Sequence, residues 1–341
     1  MKTYGVGIVG CGEVWGWHRE AFDHLDCLRC VAVYDPNTER QAAAAAATGA
    51  RQAASADAVL TAADVDIAAI LTPVFTHADM VDTATGAGKH LMLEKPMATE
   101  LAEGQRIVDA ISNAGVKCFH PTLRSLSSDL FTELEAWTAD DGPVGPVRAA
   151  FYHLVWTPVT AGAWMTDRNY CLPIAEYDPH VLDTFLTLTG DEPESVWCHA
   201  GRYCRSFDQD DVMSMVITFR DHRFLQIDVH WVMDPAWQAP GYVNFDIVCE
   251  RGYIRHDWFS AEWFSAEGSG SFDSDRLESC GKRWEHYAAL IEAIETDGAV
   301  TPSELDGLAY VRVQDAGPRG FPQQGDDGVA PHRHQRLAVE P

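Results

Sequence analysis

Short, continuous apolar runs alternate with helix-length segments from residue 4 to about residue 120. The runs are YGVGIV (4–9), RCVAVY (29–34), DIAAIL (66–71), KHLMLE (89–94) and GVKCF (115–119). Helices are predicted between them, near 13–26, 37–48, 75–87 and 99–113. Strands that are apolar on both faces and separated by helices belong to a parallel sheet covered on both sides, so this part predicts a doubly wound α/β domain. After Asp141-Gly142-Pro143 the pattern changes. Strand-like segments lie near 146–156, 194–203, 211–219, 223–232 and 242–249, with helices expected at 179–189, 281–296 and 302–316. In 223–232, Leu225, Ile227, Val229 and Trp231 point one way, while Phe224, Gln226, Asp228 and His230 point the other. That period of two predicts a sheet with one face on a core, and hence an α+β domain built on an open, largely antiparallel sheet. The last stretch, 317–341, is rich in Gly, Pro, Gln and His without periodicity and reads as disordered. The expected division is therefore 1–120, 121–316 and a tail, 317–341.

Composition narrows the choice of function. The chain has 341 residues, with 25 Lys plus Arg against 51 Asp plus Glu, a formal net charge of −26. Such a field repels polyanions, which argues against nucleic acid and against an anionic membrane surface as partners. No run approaches the roughly 18 apolar residues of a membrane span. The N-terminal MKTYGVGIVGCGEVWGWH is too short in its apolar part for a signal peptide, and the nine cysteines are odd in number and scattered. Reduced thiols in a cytoplasmic protein are the expectation. His332 and His334 in the tail are not read as metal ligands, and no metal site is expected.

The sharpest local signal is Gly10-Cys11-Gly12, between the first strand and a helix. Glycines there let backbone amides and a helix start approach a pyrophosphate. Gly10, Gly12, Glu13 and Val14 are the candidate cofactor residues at that turn. The third glycine of the dinucleotide fingerprint is absent: Trp15 holds its place and Gly16 follows. Asp35 ends the second strand 23 residues after Gly12, near the roughly 20 expected for an acid gripping the adenosine ribose. A carboxylate there would repel a 2′-phosphate and favours NAD over NADP. The alternative is that Asp35-Pro36-Asn37 is only a turn and a helix cap.

At these residues the chain resembles a known family. VGIVGCGEVWGWH, YDPNTER, LTPVFTH (71–77) and GKHLMLEKPMA (88–98) resemble the N-terminal domain of the glucose-fructose oxidoreductase / inositol dehydrogenase / MocA (Gfo/Idh/MocA) family. EYDPHVLDTFLTLTG (176–190) resembles the signature that begins its second domain. The resemblance spans roughly residues 4 to 316. It implies a Rossmann domain and NAD(P)-dependent oxidation of a secondary alcohol on a sugar, amino sugar or cyclitol. It places Lys95, of Glu94-Lys95-Pro96, beside the nicotinamide and the substrate hydroxyl. It maps the catalytic histidine to His180, puts Glu176 where the family has an aspartate, and aligns Asp178 and Asp183 with the rest of the motif. Thr72, Pro73, His77 and Glu94 match positions on the nicotinamide side, and Arg124 matches an arginine beyond the fifth strand. Cys171-Leu172 and Asp178 depart from the family's glycines, which bears on the substrate. The family's second-domain sheet commonly makes homodimers or homotetramers, so the face with Gln226, Asp228 and His230 is a candidate subunit interface.

Oxidising a carbinol requires a hydride acceptor, a base for the hydroxyl proton and close alignment of the two. Lys95, between an apolar run and a proline, is a candidate base whose ammonium form burial would disfavour; the alternative is an exposed lysine paired with Glu94. For His180, Asp178 reads as a helix N-cap, Pro179 as the first helical residue and Gly190 as the end. The histidine would then sit in a first turn, where the positive helix end favours neutral imidazole. Asp183 would either orient that ring or lie solvated on the helix face. If 176–180 were extended, Glu176, Asp178 and His180 would share a face and admit a metal; the cap reading needs none. Cys27 and Cys30 have CxxC spacing but read as core residues. Among the dense aromatic residues at 151–170, His153, Trp164, Arg168 and Tyr170 are candidate substrate contacts. Besides a dehydrogenase, two other functions fit. One is a lyase, epimerase or glycosidase using tightly bound NAD for transient oxidation, and the other is a sensor that binds without chemistry.

Overall fold

The computed structural model describes residues 2–126, 128–156, 173–204, 210–233, 241–257, 259–273, 282–317 and 333–336. They form two compact units: Met1–Leu126 with Leu277–Val311, and Ser127–Arg276 with Arg312–Pro341.

The first unit holds the parallel sheet. Its strands are β1 (Tyr4–Val9), β2 (Leu28–Tyr34), β3 (Arg51–Gln52), β4 (Ile67–Ile70), β5 (His90–Leu93) and β6 (Cys118–Phe119). They run in the order β3-β2-β1-β4-β5-β6, with every pair parallel. The order reverses direction between β1 and β4, and ligands of such sheets bind at the carboxyl ends of the strands beside that switch. One face packs Val6, Ile8, Ile67, Met92 and Phe119, and the other packs Val9, Ala68, Ile70, Leu91 and Leu93. Burial on both sides is why these runs read as continuous rather than alternating.

Helices α1 (Trp15–Arg19), α2 (Ala21–His24), α3 (Thr38–Thr48), α4 (Ala56–Leu60), α5 (His77–Gly86) and α6 (Leu101–Ala114) cover the sheet. The helix expected over 13–26 is thus two short pieces interrupted at Glu20. Asn37 caps α3 by accepting from the Glu39 and Arg40 amides, and Gly49 ends it in the left-handed region at φ 73°.

The first unit is discontinuous in sequence. After α7 (Leu123–Leu126) and α8 (Ser128–Thr138), the chain returns to the first unit through α10 (Arg283–Thr296) and the start of α11 (Glu304–Ala316). Tyr287, Leu290 and Ile291 of α10 share a core with Tyr4, Val6 and Phe119. The amphipathic helix completes one face of the sheet, which is why contiguous sequence does not delimit the unit.

The second unit is a nine-stranded sheet in the order β14-β13-β12-β11-β7-β10-β9-β8-β15. Its members are β7 (Val147–Val155), β8 (Pro193–Gly201), β9 (Val212–Phe219), β10 (Phe224–His230), β11 (Tyr242–Cys249), β12 (Gly252–His256), β13 (Ser260–Ser265), β14 (Gly268–Asp273) and β15 (Arg333–Arg336). Only β7 and β10 pair in parallel. The alternation expected for 223–232 holds: Leu225, Ile227, Val229 and Trp231 are buried, and Phe224, Gln226, Asp228 and His230 are half-buried. Helix α9 (Pro173–Thr189) covers the inner face against β7 and β10. On the outer face Phe151, Tyr242 and Val248 remain exposed. Residues 333–336 pair antiparallel with β8, so that part of the tail is a strand; the rest of it beyond 317 lies outside the described residues. Among the described residues, no helix is long and apolar enough to cross a membrane and no cluster suits a metal. The described cysteines, Cys27 and Cys30 included, are free thiols.

Candidate active site

The glycine turn is strapped to the end of β2. The Gly10 amide donates to the Tyr34 carbonyl at 2.9 Å, and the Cys11 amide donates to Asp35 Oδ2 at 2.7 Å. Gly10 has φ +96°, and a Cβ there would stand 2.6 Å from the Leu71 carbonyl oxygen, so no other residue fits. A Cβ on Gly12 would meet only Arg40 Nη1 at 3.9 Å, which leaves the front of the turn open. Glu13 is exposed and Val14 half-buried where α1 begins. Trp15, in the place of the missing third glycine, turns into the core against Phe22 and leaves the turn clear. Asp35 Oδ1 also accepts from the Asn37 amide at 2.8 Å, and the cap of α3 is Asn37 rather than Asp35. Each carboxylate oxygen keeps a second lone pair for a ligand hydroxyl. The open turn, the carboxylate and the strand-order switch fit a dinucleotide.

Across the switch, Thr72 and Pro73 follow β4 in a turn closed by hydrogen bonds from Thr76 Oγ1 to the Pro73 carbonyl (2.8 Å) and between Thr72 Oγ1 and Thr76 Oγ1 (2.7 Å). His77 does not line a ligand surface. It is 0% exposed, with Nε2 2.9 Å from the Thr72 carbonyl oxygen and Nδ1 3.1 Å from that of Met97.

Lys95 follows β5 on the turn Glu94-Lys95-Pro96-Met97, half-buried, with a cis Lys95–Pro96 peptide. Glu94 is only 4% exposed. Its Oε1 lies 3.0 Å from His18 Nε2 and 3.6 Å from Arg283 Nη2, and its Oε2 accepts the Lys95 backbone amide at 3.1 Å. Burial alone would raise this carboxyl's pKa, but Arg283 and His18 outweigh it and hold the group well below the usual carboxylate range. His18, fully buried, is pushed down by desolvation, so it is neutral beside an ionised Glu94. Its Nε2–H then donates to Glu94, and its Nδ1 accepts from the Tyr287 hydroxyl at 3.0 Å. His120 Nδ1 donates to the Leu93 carbonyl at 2.9 Å, and burial lowers its pKa to about 4. His18, Arg283, Tyr287 and His120 had no place in the sequence reading.

The remaining candidates are distributed differently than expected. Arg124 Nη2 pairs with Asp306 Oδ1 at 3.3 Å, both in the first unit. His180, 5% exposed, sits in the third turn of α9, because that helix starts at Pro173 and Pro179 lies inside it. Proline at the first helical position is obeyed, but by Pro173. Asp178 is therefore not the N-cap, and the argument from the helix end does not apply to His180. Helical backbone also puts positions 176 and 180 one turn apart and 178 off their line, which removes the extended metal-binding face. The side chains of Glu176 and Asp178, and all of Trp164, Arg168, Tyr170 and Cys171-Leu172, lie outside the described residues. Asp183 is 1% exposed, which excludes a solvated acid. His153 points away from α9: it alternates with buried Tyr152 and Leu154 and meets His230 and Tyr242 on the outer face. The structure does not bring His153 and His180 together.

Comparison with known proteins agrees with this architecture. Residues 4–121 match the oxidoreductase family model with an NAD-binding Rossmann fold, and residues 138–255 match the Gfo/Idh/MocA C-terminal domain. The chain is 25% identical over 361 residues to inositol 2-dehydrogenase of Rhizobium meliloti (strain 1021), covering 96% of this chain and 100% of that protein. It is 31% identical over 254 residues to inositol 2-dehydrogenase of Klebsiella pneumoniae (strain 342), covering 72% and 70%. The fold is shared with GenD2 from gentamicin A biosynthesis, solved in complex with NAD, at TM-score 0.82 and 18% identity, covering 99% and 97%. The chain belongs to the Gfo/Idh/MocA family of oxidoreductases.

The buried histidines make stability depend on pH with a definite sign. His120 and His286 have pKa values lowered by burial to about 4 and about 3 from 6.5. Below 6.5 the unfolded chain binds protons that the native chain refuses, so stability falls as pH drops from about 6.5 toward 4. Each such histidine contributes up to about 1.4 kcal/mol per pH unit. Glu94, whose folded pKa is depressed, adds a further loss only as pH falls below 4.5. Urea unfolding should therefore give a clearly lower midpoint at pH 5 than at pH 7; equal midpoints would mean that these histidines are already charged in the native state.

Proposed function

We propose that the protein transfers a hydride between NAD and a secondary alcohol of a sugar, amino sugar or cyclitol, with Lys95 and His180 handling the proton. The observation that carries this reading is the placement of Lys95. It stands at the carboxyl end of β5, on a turn whose neighbouring carboxylate already has its partners in His18, Arg283 and the Lys95 amide. Glu94 thus has its hydrogen-bond partners in place, and Lys95 adds to the positive field around it. Lys95 accepts the hydroxyl proton as a neutral amine and returns it as an ammonium in the reverse direction. When bound, NAD supplies the hydride acceptor. Gly10, Gly12, Glu13 and Val14 would cradle its pyrophosphate, Asp35 would accept the adenosine ribose hydroxyls, and Thr72 and Pro73 would border the nicotinamide. His180 supplies a hydrogen bond that orients the substrate hydroxyl. Family membership and the inositol 2-dehydrogenase relatives support this substrate class.

Formation of reduced nicotinamide with a panel of inositols and sugars tests the reading. Lys95→Ala should lower kcat by about a hundredfold to ten-thousandfold, and His180→Gln by about tenfold or more, with the fold retained by circular dichroism. Full activity in Lys95→Ala would remove lysine from the proton path. Cofactor choice has its own test. Asp35→Ser removes the charge that would face a 2′-phosphate, where like charges cost several kcal/mol, so the NADP-to-NAD ratio of kcat/KM should rise by about tenfold or more. An unchanged ratio would mean that Asp35 serves only the glycine turn.

A further inference from the structure

Three buried histidines from three elements surround the turn that carries Lys95. His18 of α1 reaches the Glu94 side chain, His120 after β6 holds the Leu93 carbonyl, and His77 at the start of α5 faces the Met97 carbonyl. All three are 0% exposed. The residues on both sides of Lys95 are thus tied to rigid parts of the first unit. His77 differs from the other two because its second nitrogen faces another carbonyl, that of Thr72, on the turn across the strand-order switch.

We propose that His77 is a positioning residue for Lys95, acting through the Met97 carbonyl. This inference rests on Lys95 being the proton-handling group. Between Lys95 and Met97 stands only Pro96, whose ring fixes one backbone torsion and leaves little slack. A hydrogen bond at Met97 therefore fixes the direction in which the Lys95 side chain leaves the turn. The other nitrogen of the His77 imidazole lies 2.9 Å from the Thr72 carbonyl oxygen, on the turn across the strand-order switch. A neutral imidazole has one N–H, so one of its two carbonyl contacts is the donor bond at any moment. Burial lowers the basicity of His77, while the Thr72, Met97 and Pro96 backbone and Glu94 raise it; His77 in turn acts on the buried His120. Displacing a reacting group by about 1 Å is enough to cost about a hundredfold in rate.

The two carboxamide residues separate the straps. An asparagine amide nitrogen overlays Nδ1 of histidine, the atom facing Met97. A glutamine amide nitrogen overlays Nε2, the atom facing Thr72. Relative to wild type, His77→Leu and His77→Gln should lower kcat by about tenfold or more, and His77→Asn should recover most of that loss. KM and the dissociation constant for NADH, read from its fluorescence, should stay within about threefold. Deuterium exchange of the peptide spanning 91–99, followed by mass spectrometry, should accelerate in the Leu and Gln variants and not in the Asn variant. Equal losses in Asn and Gln, a Gln variant better than Asn, or unchanged exchange in all three would overturn the proposal. If the wild-type protein turns over no polyol, the reading of Lys95 fails, and the exchange pattern alone then decides whether the Met97 strap exists.

Discussion

A carboxylate buried as deeply as Glu94 stays ionised only if neighbouring charges and donors replace the water it has lost, a cost of several kcal/mol. Here Arg283, His18 and the Lys95 amide make that replacement. The partners come from α1, from α10 and from the turn itself, so three distant stretches of chain must be in place before Glu94 can be charged. Removing one partner of such a buried pair typically costs 3–5 kcal/mol, because the other charge is left stranded. Packing adds to the same junction. Tyr287, whose hydroxyl orders His18, lies in the hydrophobic core with Val6, Ile8 and Phe119. The return of α10 to the first unit is thus both a core element and half of the charge balance behind Lys95.

This arrangement bears directly on chemistry. In the proposed reaction, proton transfer at Lys95 requires the lysine at a fixed place, and the anchors at Leu93, Glu94 and Met97 meet that need. The glycine turn is built by the same means: backbone donors tie Gly10 and Cys11 to the end of β2, while Gly12 faces open space. Rigid support below and free space above is what a preorganised ligand site requires.

Much of this was legible in the sequence, and the failures have identifiable causes. Five of the six strands of the first unit announce themselves because burial on both faces demands unbroken apolar runs. Asp35, Glu94, Lys95 and His180 came from local patterns and a family resemblance. By contrast, Arg283 stands 189 residues from Glu94, and no local pattern ties a lysine-arginine pair at a helix start to a distant carboxylate. His18 in WGWH and His120 in FHP do lie among apolar neighbours, which marks them as buried but not as partners. The start of α9 was misplaced because Asp178-Pro179 has the form of a cap, while Pro173, six residues earlier, is the residue that begins the helix. Strands β13 and β14 are illegible because SAEWFS and GSGSFD lack a buried alternating face; most of their residues stay exposed or half-buried.

The most direct test of the account is the protonation state of the histidines around Glu94. Long-range ¹⁵N–¹H correlation spectra of histidine-labelled protein at pH 7 distinguish imidazolium from each neutral tautomer. A neutral His18 carrying its proton on Nε2, together with a neutral His120 carrying its proton on Nδ1, is the expected result. A neutral His18 carrying its proton on Nδ1 would set a bare Nε2 against Glu94 Oε1 and require a protonated carboxyl there, which would contradict the ionised Glu94 at the centre of the account.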